Sequence, residues 1–587
     1  MHVIATAGHV DHGKSTLVLT LTGTDPDRWT EEKVRGLTID LGFAHRMLPS
    51  GAEISFVDVP GHTRFLKNML AGVGGVDACL FVVAATEGWK PQSEEHLRIL
   101  ELLGIRHGII AMTKIGLVDD EWAELARMDI ADHVAETFLH DAPIIGVDAP
   151  SGRGITELVD ALEDLVAKTP LAFDRSRPRL WIDRVFSAKG SGTVVTGTLT
   201  GGTLRTDTPM EIVRVSAAGT SALPTRVRGI QTHGHAVSLI EPGNRVAVNL
   251  GGVAHEDLAR GDALVEPGRW HRTTRVDASL TTLRAIDHAV SRRGAYACYV
   301  GSGEHHVKMR ILGASAIGPG ETGAVRLHFR TALPLLPGDR FILRDDGREE
   351  TVGGGEILDV DPRRAASKAA PDRDPERVVH ERRHVPLDLL DRLTGVAWTG
   401  PVLANRWAIT SEDLAASRSQ LYDRVVEART RGFDIAALSD VERAILDSLV
   451  ADPGGHAPVV VDGGRATIGV AIDALAEHPF IAELIAGRFS PPEPHGVDRS
   501  DLREMVRKGY VVEQDSVYFA PQVVDDACVL IAELLETRDG VTVADIRDVL
   551  GNTRKHVLPL LAHLDSTGRT RRRGDLRIAG PRLRPAT

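Results

Sequence analysis

The chain has 587 residues, 42% of them hydrophobic, and a formal net charge of −12 at pH 7; this size and composition predict several folded domains, and the acidic total argues against a protein that coats nucleic acid indiscriminately. The sequence has no apolar run of about 18 residues and no basic segment followed by an apolar core, so we expect neither membrane spanning nor export. Three scattered cysteines indicate neither a disulfide framework nor a cysteine-based metal site, and we expect a cytoplasmic protein.

The first motif in the chain follows a short apolar run at residues 3–6. Residues 8–15 read GHVDHGKS and fit the pattern G-x-x-x-x-G-K-[ST]. In such a loop the backbone N–H groups surround phosphate oxygens, the lysine adds a positive charge, and the hydroxyl reaches Mg²⁺ at the start of a helix. The nucleotide-binding residues predicted from this loop are Gly8, His9, Val10, Asp11, His12, Gly13, Lys14, Ser15 and Thr16.

Further residues that face phosphate follow in order. Residues 54–58 indicate a strand that ends in Asp58, a carboxylate able to hold Mg²⁺, and Gly61 follows at D-x-x-G spacing, where its N–H can turn toward a γ-phosphate. Thr38 lies between the two motifs and can bring a hydroxyl to the same metal, so we predict Ser15, Thr38 and Asp58 as metal ligands. His62 is the predicted catalytic residue, because hydrolysis depends on positioning the attacking water.

These motifs resemble translational GTPases, and among them the chain looks most like the selenocysteine-specific elongation factors. The resemblance lies in GHVDHGKST at 8–16, EEKVRGLTIDLGFAH at 31–45, DVPGH at 58–62 and FLKNMLAGVGGVD at 65–77. It continues in WIDRVFSAKGSGTVVTGTL at 181–199, GNRVAVNL at 243–250 and the segment 336–359, and it is weaker in the last third of the chain. It implies a ribosome-stimulated GTPase that uses GTP and Mg²⁺.

One motif departs from this family. Its guanine-reading segment normally runs [NT]-K-x-D, but residues 113–116 read Thr-Lys-Ile-Gly, so Gly116 stands where the carboxylate is expected. Hydrogen bonds to a charged group contribute about 1.5–3 kcal/mol each, so the loss predicts relaxed base specificity unless another carboxylate replaces it. Thr113 and Lys114 remain predicted nucleotide contacts. Asp148, after a strand at 144–147, and Asp119 are the two candidate replacements, and the sequence leaves both open.

The remaining pattern predicts a multidomain fold. Residues 1–172 alternate strand-like and helix-like runs, as in an α/β P-loop GTPase domain with a parallel sheet. Short alternating runs predict two antiparallel β-barrels, at 173–268 and 269–365. The stretch 363–383 is typical of a linker or a solvated helix. Residues 366–587 suit C-terminal tandem winged helices, since a pattern at 508–519 recurs 59 residues later.

The resemblance also implies an aminoacyl pocket in the first barrel, formed by Asp183, Arg184 and Arg245. A selenol is anionic at neutral pH, so guanidinium groups can favour it over neutral serine, and Asp183 can receive the ammonium of the esterified amino acid. The alternative is a structural ion pair on the barrel rim. Both interpretations remain open from the sequence.

The end of the chain is locally basic despite the acidic total. Between Gly568 and Arg584 there are seven arginines and one acid, and Arg571, Arg572 and Arg573 fall near the turn of a predicted strand pair. We predict these three residues, with Lys555 on the preceding helix, as RNA-binding residues. The alternative is a solvated charged tail.

Together these features predict a GTP-dependent elongation factor that delivers selenocysteinyl-tRNA to the ribosome at recoded UGA codons and binds an mRNA hairpin through its C-terminal domain. We expect a monomer that makes no membrane contact. Two other hypotheses stay open: an RNA-binding regulator with relaxed purine-nucleotide specificity, and a general tRNA-carrying translational GTPase.

Overall fold

The computed structural model describes residues 1–27, 38–61, 68–70, 75–188, 192–215, 222–469 and 475–583. The chain divides into two compact units, Met1–Asp413 and Leu414–Thr587. Among the described residues, no helix is long and apolar enough to cross a membrane.

The N-terminal domain is an α/β domain. Its described elements are, in chain order, β1 (His2–Ala7), α1 (Lys14–Thr22), β2 (Gly42–Met47), β3 (Glu53–Asp58), β4 (Ala78–Ala84), α2 (Pro91–Leu102), β5 (Gly108–Thr113), α3 (Asp120–Val134), β6 (Ile144–Gly146) and α4 (Ile155–Lys168). The strands form one sheet in the order β2-β3-β1-β4-β5-β6, in which only the β2–β3 pair is antiparallel. Strands β1 and β4 are buried throughout, as expected where helices cover both faces. The predicted parallel-sheet fold is confirmed.

The first barrel follows directly. Its strands are β7 (Arg179–Trp181), β8 (Arg184–Ala188), β9 (Gly192–Thr200), β10 (Leu204–Arg205), β11 (Pro209–Val213), β12 (Ala222–Thr232), β13 (His235–Val237), β14 (Leu239–Ile240), β15 (Arg245–Gly251) and β16 (Ala263–Val265). Six of them close in the order β11-β16-β7-β9-β15-β12 and back to β11. Strands β8 and β15 both pair with β9. Arg184, the first residue of β8, lies opposite Thr196, and Arg245, the first residue of β15, lies opposite Thr198. This pairing brings Arg184 and Arg245 to the same part of the barrel.

A second six-stranded antiparallel barrel completes the predicted pair. Its elements are β17 (Arg272–Thr282), β18 (Val290–Ser291), β19 (Tyr296–Val300), β20 (Gly303–Leu312), β21 (Ala316–Ile317), β22 (Thr322–Pro334), β23 (Arg340–Asp345) and β24 (Glu350–Asp359). The closed order is β17-β22-β20-β19-β23-β24. Along β20 buried and exposed residues alternate, which places every second side chain in the barrel core.

The segment after the second barrel is packed against it. It contains α5 (Pro375–His380), β25 (Val385–Pro386), α6 (Leu387–Thr394), β26 (Val402–Leu403) and β27 (Trp407–Ala408). Val378 and Val379 belong to the same hydrophobic cluster as the barrel interior, and Val379 is fully buried. Arg377 lies 3.0 Å from Asp359 at the end of β24. The stretch 363–383 therefore does not behave as the linker or solvated helix that its composition suggests, because it covers the barrel.

The second unit consists of small helix and strand modules. Helix α7 (Ser411–Glu427) leads into it, and the other elements are β28 (Phe433–Asp434), α8 (Asp440–Ala451), β29 (Val459–Asp462), β30 (Arg465–Ile468), α9 (Pro479–Gly487), α10 (Arg499–Arg507), β31 (Val512–Gln514), β32 (Val517–Phe519), α11 (Pro521–Glu536), β33 (Val541–Thr542), α12 (Val543–Val549), α13 (Arg554–Ser566), β34 (Thr570–Arg573) and β35 (Leu576–Ala579). The β31–β32 and β34–β35 hairpins each follow a helix, so the 59-residue repeat marks two copies of one arrangement. A single apolar core runs from Phe480 to Leu564 across both copies.

Candidate nucleotide and aminoacyl sites

The predicted phosphate loop joins β1 to α1 at the carboxyl end of the parallel sheet. Gly8 and Gly13 have φ angles of 129° and 84°, which only glycine adopts readily. The ammonium of Lys14 donates hydrogen bonds to the carbonyl oxygens of Gly8 and His9, at 3.0 and 2.7 Å, and its burial lowers its pKa to about 8. A Cβ added to Gly61 would lie 2.7 Å from the backbone nitrogen of Val10, so the D-x-x-G glycine lies directly against the loop.

Three oxygen-bearing side chains meet beside this loop. Ser15 Oγ lies 2.8 Å from Thr38 Oγ1 and 2.7 Å from Asp58 Oδ2. Thr6 donates to Asp58 Oδ1 at 2.7 Å and accepts from the N–H of Val59 at 3.1 Å, so it fixes the carboxylate. Hydroxyl and carboxylate oxygens are the ligands that Mg²⁺ prefers, and the donor set fits that ion. Thr6 was not predicted as part of this site, although it carries the only hydroxyl in β1.

Two side chains of helix α2 accept hydrogen bonds from backbone N–H groups of the phosphate loop. The N–H of Gly8 donates to His96 Nδ1 at 3.1 Å, and the N–H of Val10 donates to Gln92 Oε1 at 3.3 Å. His96 is buried, and burial lowers its pKa to about 3, so the ring is neutral and Nδ1 is free to accept. Sequence reasoning missed both residues. Their only signal is the four-residue spacing that places them on one face of the helix.

Removing the hydrogen-bond acceptor at His96 is expected to lower the affinity for nucleotide. His96→Leu leaves the Gly8 N–H without a buried partner, which costs about 1–3 kcal/mol, and we expect GDP and GTP affinity to fall by about 10-fold or more as the loop leaves its binding conformation. His96→Asn keeps an acceptor near the position of Nδ1 and should lose less. Equilibrium titration of both variants with fluorescent nucleotides measures this. Equal affinities for wild type and His96→Leu would contradict it.

The base-side loops lie at the end of β5 and after β6. Thr113 Oγ1 donates to the carbonyl oxygen of His12 at 2.7 Å, which ties this segment to the phosphate loop. A Cβ added to Gly116 would lie 2.9 Å from both Cγ and Oδ2 of Asp148. Asp119 instead caps α3 by accepting from the N–H of Trp122 at 2.8 Å. Of the two candidate replacement carboxylates, the structure therefore places Asp148 beside Gly116 and gives Asp119 a capping contact.

The residues predicted for the aminoacyl pocket come together in the first barrel. Arg245 donates two hydrogen bonds to Asp183, at 2.7 and 3.0 Å, and the hydroxyl of Thr196 donates to the same carboxylate at 2.7 Å. Burial by itself raises the pKa of Asp183, but Arg245 and Thr196 outweigh it and hold that pKa below its ordinary value. Asp183 and Arg245 thus form a buried, hydrogen-bonded pair.

The N-terminal domain packs against two of these predicted residues, Arg245 and Arg184. The guanidinium carbons of Arg245 and Arg184 lie 3.4 and 4.6 Å from the ring centroid of Phe43, on β2. Arg184 also lies 3.3 Å from Asp40 and donates to the carbonyl oxygen of Leu41. Phe43 and Asp40 were not predicted, because nothing in the sequence indicates that the segment 40–43 faces the barrel.

A third arginine of the first barrel, Arg260, contacts both segments that flank the phosphate site. Arg260 donates to Asn68 Oδ1 at 3.0 Å and lies 3.7 Å from Asp40. The amide of Asn68 donates to the carbonyl oxygen of Ile39 at 2.7 Å, next to Thr38. The barrel therefore touches the chain just after the predicted Thr38 ligand and just after the D-x-x-G motif. His62, the predicted catalytic residue, lies outside the described residues.

The predicted RNA-binding residues occupy the last hairpin and the helix before it. Arg571, Arg572 and Arg573 are exposed on β34, next to the turn at Gly574, and Arg572 donates to the carbonyl oxygen of Gly574 at 3.1 Å. Lys555 lies on α13, exposed, 3.3 Å from Glu493. Two other members of the arginine run have structural partners: Arg577 is buried against Asp565, and Arg569 pairs with Asp525.

Known proteins match the chain along its length. Three domain families match it: elongation factor Tu GTP binding domain over residues 1–168, selenocysteine-specific elongation factor beta-barrel domain over 273–364, and elongation factor SelB winged helix over 533–579. The selenocysteine-specific elongation factor of Desulfomicrobium baculatum is 31% identical over 647 residues, covering 98% of this chain and 99% of that protein. The chain belongs to the family of selenocysteine-specific elongation factors.

Two further members of this family agree with that assignment. The selenocysteine-specific elongation factor of Escherichia coli strain K12 is 30% identical, with 98% of each chain covered. The crystal structure of a bacterial selenocysteine-specific elongation factor matches at 25% identity with a TM-score of 0.71, covering 98% of this chain and 99% of that one. The resemblance drawn from the motifs is confirmed, and the chain is a translational GTPase with a GTP-binding domain. Neither alternative hypothesis is favoured.

Proposed function

We propose that this chain uses GTP and Mg²⁺ to carry selenocysteinyl-tRNA, as a cytoplasmic monomer, to a ribosome at a recoded UGA codon, while its last winged helix binds a hairpin in the mRNA. The observation that carries the proposal is the pair of guanidinium groups, Arg184 and Arg245, that lie against Phe43 where the GTPase domain meets the first barrel. Winged helices bind nucleic acid or protein, and the exposed arginines of the last hairpin favour RNA.

The chemistry of the pocket suits an anionic side chain. A selenolate beside two guanidinium groups gains charge-assisted hydrogen bonds that a neutral serine hydroxyl gains only in part. Asp183 holds Arg245 in place, and its carboxylate would share its oxygens with the ammonium of the esterified amino acid. The pocket would therefore recognise the charge at one end of the aminoacyl group and the ammonium at the other.

The nucleotide would act as the switch. Lys14 and the loop N–H groups would hold the phosphates, and Ser15, Thr38 and Asp58 would hold the metal, which supplies positive charge to the β- and γ-phosphate oxygens. His62 would position the attacking water, and Gly61 would turn its N–H toward the γ-phosphate. Loss of that phosphate would release the contacts at Thr38 and Gly61, and Arg260 touches the chain close to both.

The decisive experiment compares the affinity for selenocysteinyl-tRNA with that for seryl-tRNA. Arg184→Ala should cost about 2–3 kcal/mol of selenocysteinyl-tRNA binding and leave GTP binding unchanged, because a desolvated selenolate loses a charged partner. Arg245→Ala should lose selectivity as well, but it also leaves Asp183 buried without its cation, so Arg184 is the cleaner site. Arg205→Ala, an exposed arginine of the same barrel, is the matched control. Equal losses for both tRNAs would place these arginines on the tRNA backbone and contradict the pocket.

A further inference from the structure

The space beside Gly116 is filled by a carboxylate from another loop. The three atoms nearest to a Cβ built on Gly116 are all in the carboxyl group of Asp148: Cγ and Oδ2 at 2.9 Å and Oδ1 at 3.2 Å. Real Cβ atoms essentially never approach another atom within 3.0 Å. The φ angle of Gly116 is not in the left-handed region, so its backbone does not demand glycine. A side chain at position 116 would displace the carboxylate of Asp148 from the place it occupies in this structure.

The loop that carries Asp148 holds this carboxylate in place. The N–H of Asp148 donates to the carbonyl oxygen of Arg153 at 2.9 Å, the N–H of Gly152 donates to the carbonyl oxygen of Asp148 at 2.9 Å, and the Ser151 hydroxyl donates to the carboxylate. The N–H of Ile115 donates to the carbonyl oxygen of Val147 at 3.4 Å, which joins the two base-side loops. In the part of the chain that the structure describes, no Lys, Arg or His is paired with the Asp148 carboxylate within 4.0 Å, so its remaining lone pairs can accept from a ligand.

We propose that Asp148 is the guanine-reading carboxylate of this chain, transferred from the loop after β5 to the loop after β6, with Gly116 as the compensating loss of a side chain. This deepens the proposed function and rests on its use of GTP. Guanine presents two adjacent donors, the N1–H and the exocyclic amino group, which a carboxylate accepts together. Adenine presents an unprotonated N1 at the same edge, which an acceptor-only carboxylate repels. On this proposal the chain selects guanine, because Asp148 replaces the carboxylate whose loss at Gly116 would otherwise relax base specificity.

The test is a change of base preference rather than a loss of binding. In Asp148→Asn the amide oxygen still accepts a hydrogen bond from the N1–H of the base, but the amide nitrogen now donates to the group at position 2. Xanthine carries a carbonyl oxygen at that position where guanine has the amino group, so the variant side chain matches xanthine. We expect GTP affinity to fall by about 10- to 100-fold, since a charged acceptor is lost, and xanthosine triphosphate affinity to rise. Competitive titration of GTP, xanthosine triphosphate and ATP against the full chain measures all three. Asp119→Asn is the matched control and should leave the GTP to xanthosine triphosphate ratio unchanged.

A pair of substitutions tests the transfer itself. Gly116→Asp alone should weaken GTP binding, because the new side chain meets the Asp148 carboxylate at contact distance with the same charge. Gly116→Asp combined with Asp148→Gly should restore the preference for GTP. If the wild-type chain selects GTP over ATP while Asp148→Asn leaves the base preference unchanged, the inference is overturned and the proposed function stands. If the wild-type chain binds ATP as well as GTP, the use of GTP in the proposed function is overturned, and this inference with it.

Discussion

Asp58→Ala is expected to abolish productive binding of GTP with Mg²⁺. Its carboxylate lies 2.7 Å from both Ser15 Oγ and Thr6 Oγ1, so the substitution removes a predicted metal ligand and leaves the Ser15 hydroxyl with Thr38 as its remaining partner. Lys14→Ala should be as severe, because it removes the buried ammonium at the centre of the phosphate loop. We expect at least about a 100-fold loss in each case, as for other charged, buried contacts.

Titration of GTP in the presence of Mg²⁺ and of a chelator measures the effect. Asp58→Ala should make GTP affinity insensitive to Mg²⁺, whereas Thr6→Val, which removes only the hydroxyl that fixes Asp58, should keep part of that sensitivity. His62→Ala should bind GTP normally and slow ribosome-stimulated hydrolysis, since water positioning is separate from phosphate binding. Wild-type Mg²⁺ dependence in Asp58→Ala would remove this residue from the metal site, and wild-type hydrolysis in His62→Ala would remove its proposed role.

Replacing Arg571, Arg572 and Arg573 together by alanine is expected to cause the largest loss of mRNA-hairpin affinity. All three side chains are exposed on a short strand beside a tight turn, so they project from the hairpin into solvent, where a bound RNA would meet them. Each phosphate contact that is lost should flatten the salt dependence by about 0.7–0.9 log units of affinity per log unit of salt. A residue that reads a base should instead lower the discrimination between loop sequences when it is replaced.

The measurement uses the full chain, a selenoprotein mRNA hairpin and a scrambled loop, at several salt concentrations. A control variant removes the same number of charges from exposed arginines elsewhere in the second unit: Arg443, Arg499 and Arg503. Arg569 and Arg577 are unsuitable for this purpose, because their ion pairs with Asp525 and Asp565 support the fold. If the triple variant and the control have the same affinity and salt slope, the arginines are a solvated surface.

Sequence spacing identifies candidate residues where they lie within one short motif. The phosphate loop, Asp58 and Gly61 were predicted from spacing alone, because their backbone conformations are set locally. His96 was missed because it meets Gly8 from 88 residues away, and that contact depends on how α2 packs against the sheet. Phe43 was missed for the same reason, since its partners lie in another domain.

Composition also could not distinguish the buried arginines near the end of the chain from the exposed ones. The arginine run near the end of the chain was predicted as one basic surface, but Arg572 and Arg577 lie directly opposite each other on paired strands and differ completely in exposure. Only the strand register and the position of Asp565 make one a surface group and the other part of an ion pair. The stretch 363–383 was mispredicted in the same way, because its two buried valines are outnumbered by polar neighbours.

The position of Phe43 has a thermodynamic consequence. This residue belongs to the GTPase domain and follows Thr38 by five positions, yet its ring packs against Arg184 and Arg245 of the barrel, the two arginines of the proposed aminoacyl pocket. The aminoacyl group and the γ-phosphate would therefore bind to two ends of one short segment, and coupling between two binding events is reciprocal. Whatever factor GTP adds to the affinity for the cognate aminoacyl-tRNA, that tRNA must add to the affinity for GTP. A carrier built this way would bind GTP more tightly with the correct cargo than without it.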